Sequence, residues 1–202
     1  MFRLPPATGW LIALNVLVHI VRSLLPAAQD EVVENALAFH TSSLYQDFGL
    51  LDLIRPVTYQ FLHGGWDHLG ANMVFLLAMG PGLERPIGKV RYLTIYFISG
   101  IVGALVEGIL APAGHDDLLV GASASISGVF GATIVVWRLY RLGDKPLGLV
   151  RMAGLLIALM AITGILGVGA PEGTPIGWIA HIGGFLAGMA LGFALRPPLR
   201  HA

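Results

Sequence analysis

Six stretches of this chain are apolar over most of the length of a bilayer crossing, and that limits the possible folds more than any other feature. A hydrocarbon core of about 30 Å takes roughly 20 apolar residues per helix. Within it every backbone N–H and C=O must find a partner in the protein, so a spanning segment is a helix or part of a closed barrel. The candidate spans are 7–25, 68–83, 92–111, 118–137, 152–170 and 176–195, the second being short. Only 12% of the residues are charged, against roughly 25% in a soluble domain. Glycine is abundant, with 27 residues, as suits helices that pack closely in lipid. The expected fold is an all-α membrane protein with six transmembrane helices in a single domain, 1–202.

Basic residues orient it. With the N-terminus inside, the inner segments carry Arg3, then Arg85, Lys89 and Arg91, then Arg138, Arg141, Lys145 and Arg151, then Arg196 and Arg200. Only Arg22 and Arg55 fall outside. Lys/Arg bias sets topology, so both termini are expected in the cytoplasm. A cleaved signal peptide ending near Pro26-Ala27-Ala28 is the weaker reading, because the apolar run is long and Arg3 alone makes a poor leader. The outer segment 26–67 is long enough to expect structure of its own, and Leu50, Leu51, Leu53, Ile54, Phe61 and Trp66 suit the membrane interface.

The chain has no cysteine and a net charge of zero. This excludes thiolate catalysis and Cys-ligated metals, and no basic patch points to nucleic acid.

Polar side chains inside spans are costly, so each is a functional candidate. Ser123 opens the fourth span in Gly121-Ala122-Ser123-Ala124-Ser125. Free N–H groups at a helix start favour a developing oxyanion there, although the same residues also read as small packing side chains. His181 heads a row of Gly184, Gly188 and Gly192 on one helical face. Ser123, Ser127 and Gly131, beside Ala124 and Gly128, offer a matching surface. If the two rows meet, imidazole and hydroxyl approach each other; the plain alternative is a His bonded to a carbonyl. His68 and Asn72, four apart, fit an oxyanion hole, an interhelical hydrogen bond, or half of a metal site. Asn15 and His19 read as structural polar contacts. Glu107, near the outer end of the third span, reads as snorkelling or pairing and is assigned no chemistry, and Ser125 is read as packing.

Several motifs in order resemble the rhomboid intramembrane serine proteases. Ile54-Arg55-Pro56-Val57-Thr58 with Phe61-Leu62-His63-Gly64 is similar to the family's "WR..T..FLHG", without its Trp. His68-Leu69-Gly70-Ala71-Asn72 resembles HxxxN, and Leu83-Glu84-Arg85 the "LE" segment. Gly121-Ala122-Ser123 with Ile126-Ser127-Gly128 resembles the GxSG region. Ala180-His181-Ile182-Gly183-Gly184-Phe185 with Gly188 is similar to the AHxGG helix.

The resemblance covers nearly the whole chain. It implies a six-helix rhomboid-like bundle around an outward-facing aqueous cavity, with Ser123 and His181 as a catalytic dyad. It implies an oxyanion hole from His68, Asn72 and the Ser123 N–H, transmembrane proteins as substrates, and neither cofactor nor metal. The implied location is the inner (plasma) membrane, as a multi-pass protein. Two residues depart from the pattern. Ala124 stands where the family has Gly, and Ser127 where several members stack an aromatic ring on the histidine. Rival readings are a catalytically silent rhomboid-like protein that binds membrane clients, a zinc hydrolase using His68 and His181, and a small transporter. No HExxH occurs, Asp67 lies off the His68 face, and the polar residues of spans two, four and six cluster at their outer ends.

Overall fold

A computed structural model describes residues 3–45, 48–110, 116–137, 146–165 and 177–195. The chain is mostly helical. Helix α1 (Pro6–Ser23) begins at a proline, whose missing N–H costs nothing at a helix start. The next two N–H groups, of Ala7 and Thr8, donate to the buried Glu84 carboxylate at 2.9 and 2.7 Å, and the Thr8 hydroxyl adds a third bond at 2.8 Å. The glutamate of the "LE" segment thus caps one helix from another.

The outer segment carries structure of its own. Helix α2 (Ala27–Leu37) follows directly, tied back to α1 by Arg22, which bonds Asp30 at 2.7 Å and also reaches Glu34. Strand β1 (Phe39–His40), short 3-10 turns and helix α3 (Arg55–Thr58) complete it. The Arg-Pro-Val-Thr motif is α3 itself, and it closes the carboxyl end of α2. Arg55 donates to the carbonyls of Asn35 (3.1 Å) and Ala36 (3.2 Å), and Thr58 to that of Leu37 (2.7 Å). Such carbonyls have no partner within the helix and favour a cation.

Helix α4 (Trp66–Ile87) is longer than the short second span expected for 68–83, continuing through Pro81 and Pro86. It stops at Gly88, whose φ of +83° is one that glycine adopts far more readily than residues with a side chain. Helix α5 (Lys89–Leu110) is, among the described residues, the one helix long and apolar enough on its own to cross a membrane. Helix α6 (Ser123–Val135) and helix α8 (Trp178–Ala194) are apolar but shorter, and α7 (Pro146–Ile165) lies between them in sequence. The expected span 118–137 is helical over only part of its length. Leu118–Leu119 form strand β2, paired antiparallel with β1, and the helix opens only at Ser123. Residues 111, 166–170 and 176, assigned to the third, fifth and sixth spans, lie outside the described residues.

Helices α5, α6 and α8 pack most intimately. Every fourth residue of α8 meets every fourth residue of α6. A Cβ on Gly184 would collide with the Ala124 carbonyl, one on Gly188 with the Gly128 carbonyl, and one on Gly192 would lie 3.0 Å from the Ala132 Cα. Ala124, Gly128 and Ala132 thus meet the α8 glycines directly, and Gly131 of the expected row also lies against α8, where a Cβ would collide with the Phe185 carbonyl. Backbones touch because no side chain stands between them, the usual basis of close helix pairs in lipid.

Candidate active site

Four positions singled out in the sequence meet where α4, α6 and α8 converge. Ser123 is the first residue of α6 and half-buried. His181 lies in the first turn of α8, and its Nε2 is 2.8 Å from Ser123 Oγ. That separation is a hydrogen bond, between groups 58 residues apart in sequence.

The turn before Ser123 depends on Gly121. Its φ is +117°, which L-residues with a side chain rarely adopt. A Cβ there would also lie 2.8 Å from both Cε1 and Nε2 of His68, and 3.6 Å from Nδ2 of Asn72. Both α4 side chains therefore reach the turn that delivers Ser123. Asn72 is only 6% exposed, and its Nδ2 has no hydrogen-bond partner. A buried amide donor left unpaired is costly and calls for an explanation. The His68 ring is held edge-on by the His63 ring, with centroids 5.1 Å apart.

Both departures from the family pattern find a local answer. The Ala124 methyl turns toward α5, where Gly103 leaves room; a Cβ on Gly103 would come within 2.9 Å of it. Room for the extra methyl thus comes from α5. Where Ser127 supplies no ring to His181, the neighbouring residue is anchored instead. The Ala180 N–H donates to Glu107 Oε2 at 2.6 Å, and Glu107 is 8% exposed. Since Gly177 offers no side chain to cap α8, a carboxylate from α5 performs that task, favoured there by the helix dipole. From sequence Glu107 reads as snorkelling or pairing, with no partner named. Its signal was present all the same, since a carboxylate in an apolar span needs a partner.

Asn15 and His19 do not join this group directly. Asn15 Nδ2 donates to Leu11 O within its own helix at 2.8 Å, and His19 packs edge-on against Trp66. Among the described residues no cluster of three His, Asp or Glu is arranged to hold a metal ion.

The arrangement is a hydroxyl at a helix N-terminus, an imidazole in contact with it, and side-chain donors beside the intervening turn. Such a set can support nucleophilic acyl transfer. Comparison with known proteins bears on its lineage. Residues 51–198 match the Rhomboid domain family. The chain is 37% identical over 145 residues to RHOMBOID-like protein 5 of Arabidopsis thaliana, covering 70% of this chain and 43% of that protein. It is 31% identical over 186 residues to Rhomboid-like protease 3 of Toxoplasma gondii, covering 90% and 66% respectively. It is 33% identical over 145 residues to Rhomboid-type serine protease 2 of Emericella nidulans, covering 71% and 27%. The chain thus spans less than half the length of several relatives, some of them named proteases and others only rhomboid-like. With a family match over most of its residues, the chain belongs to the rhomboid family.

Proposed function

We propose that this protein is an intramembrane serine endopeptidase, with Ser123 as nucleophile and His181 as general base. The 2.8 Å contact between Ser123 Oγ and His181 Nε2 carries the reading. Rhomboid proteins are membrane proteins acting on transmembrane substrates, so the substrate is a transmembrane protein with a locally unwound segment. The single domain crosses the inner (plasma) membrane six times, through spans 7–25, 68–83, 92–111, 118–137, 152–170 and 176–195, with both termini cytoplasmic. The fourth span includes the β2 approach to α6.

His181 takes the proton of Ser123 as Oγ adds to the peptide carbonyl. His68, Asn72 and the Ser123 N–H receive the oxyanion, which gives the unpaired Asn72 amide its partner. His181 passes the proton to the leaving amine, the C–N bond breaks, and water hydrolyses the acyl-enzyme. This chemistry calls for neither metal nor organic cofactor.

The test is labelling of detergent-solubilised protein with a fluorophosphonate, read by mass spectrometry. Wild type is expected to carry the adduct on Ser123, with none on Ser123→Ala and a severe loss of rate in His181→Ala. A folded wild type that takes no adduct would turn the assignment towards a non-catalytic protein that binds membrane clients.

A further inference from the structure

The segment before His63 holds the nucleophile turn at two points that bracket Ser123. Two residues before Ser123, the Gly121 N–H donates to the Tyr59 carbonyl at 2.9 Å. Two residues after it, the Ser125 hydroxyl donates to Gln60 Oε1 at 2.8 Å. The anchors are consecutive residues, and both ends of the second bond, Gln60 and Ser125, have 0% exposure. Ser125, read from sequence as packing alone, thus has a directed hydrogen bond.

The anchors are themselves fixed to α5 and α3. The Tyr59 hydroxyl donates to the Gly100 carbonyl at 2.6 Å. Gln60 Nε2 donates to the Pro56 carbonyl at 2.7 Å and, more weakly, toward the Phe97 carbonyl at 3.4 Å. Gly100 leaves the space that this requires, because a Cβ there would sit 2.5 Å from Gln60 Cδ and would collide with Ser125 Oγ. With both Gln60 amide atoms engaged, its oxygen is oriented toward Ser125 and cannot exchange with the nitrogen without losing two bonds.

We infer that Gln60 and Ser125 are a positioning pair for the Ser123 nucleophile, setting how Oγ meets His181 and the reacting carbonyl. The inference rests on the serine-protease reading. Ser123 opens α6, and residues at a helix start have few intrahelical bonds to fix them. A bond from the third helical residue to a fixed side chain, together with the Gly121 bond, supplies the missing restraint. Loss of the restraint acts on the reaction more than on binding, because small displacements of reacting groups are costly to rate.

The experiment uses the full chain in detergent and measures the inactivation rate with a fluorophosphonate at several concentrations, with Tm recorded beside it. Ser125→Ala deletes one oxygen; Gln60→Leu keeps the side-chain bulk without its amide. Each is expected to lower the limiting labelling rate on Ser123 about 10-fold or more, with the half-saturating probe concentration unchanged. The double variant is expected to be no slower than the slower single variant, because both substitutions delete the same bond. Folded Ser125→Ala that labels at the wild-type rate overturns the proposal, as does a double variant whose losses multiply. Ser125→Ala alone decides the question if Gln60→Leu does not fold. Wild type that labels while the variants match it removes only the positioning pair; wild type that never labels removes the protease reading and the pair with it.

Discussion

The α6–α8 seam and the outer segment 26–67 are held by opposite means. The seam has almost no side chains, and Gly184, Gly188 and Gly192 let the α8 backbone rest on α6. The outer segment is held by side chains that reach across gaps: Arg22 to Asp30 and Glu34, Arg55 to the end of α2, and Asp116 to Ser42 and His40. A side-chain contact can be lost singly, and its neighbours remain. A backbone contact admits no added atom, because protein interiors yield little. The Ser123–His181 contact spans the seam, so it sits on the less forgiving of the two constructions.

The largest effect is expected where that seam is closed to any side chain. Gly188→Val places a branched group against the Gly128 carbonyl. It should abolish fluorophosphonate labelling and lower Tm by several degrees, since overpacking costs about 1–3 kcal/mol or more. Wild-type labelling in this variant would show that the seam can open without parting Ser123 from His181.

A side-chain donor beside the seam should matter less. Asn72→Ala removes the amide proposed to receive the oxyanion, and turnover of a transmembrane peptide in vesicles should fall by roughly 100-fold with Tm nearly unchanged. An unchanged rate would return Asn72 to a purely structural part.

Next comes the cap on α8. Glu107→Ala should destabilise by about 1 kcal/mol, in the range of lost helix caps, while Glu107→Gln, which keeps an acceptor for the Ala180 N–H, should lose less. Equal Tm values for both variants and wild type would remove the capping role.

The smallest effect belongs to the outer segment and is read by pH. Burial works to raise the Asp52 carboxyl, but the Gly49 N–H, Ser43 and Arg55 outweigh it and hold the group below its ordinary value. Burial likewise opposes, and His40 and Ser42 outweigh it, at Asp116. A carboxylate whose folded pKa is depressed contributes stability above its unfolded value, near 4, and loses it as pH falls through the lower folded value. Tm should therefore decline below about pH 4, and Asp52→Asn should flatten that decline. The same slope in Asp52→Asn would place the acid sensitivity elsewhere.

Much of this was legible in the chain because lipid makes polar residues conspicuous. Ser123, His181, His68 and Asn72 stood out as polar atoms in apolar runs, and the glycine period after His181 announced a close helix contact. The start of α6 was less legible. Leu118 and Leu119 are as apolar as the span that follows, and only pairing with Phe39 and His40, nearly eighty residues earlier, makes them a strand. Glu107 stood out, yet its partner is a backbone N–H, which every residue has and no sequence marks. Gln60 belongs to the same class, being an ordinary polar residue in an outer segment until Ser125 is folded onto it.

What the sequence by itself determined is the set of apolar runs, their small-residue face, and the identity of the polar side chains that gather at the candidate site, because these follow from local composition and period. Only the tertiary structure decided which rows of α6 and α8 touch, that Ser123 and His181 lie 2.8 Å apart, and which carboxylates and amides close the helix ends. Those depend on contacts between residues far apart in the chain, and hydrogen-bond geometry resolved to a few tenths of an ångström is a property of packing that no local pattern encodes.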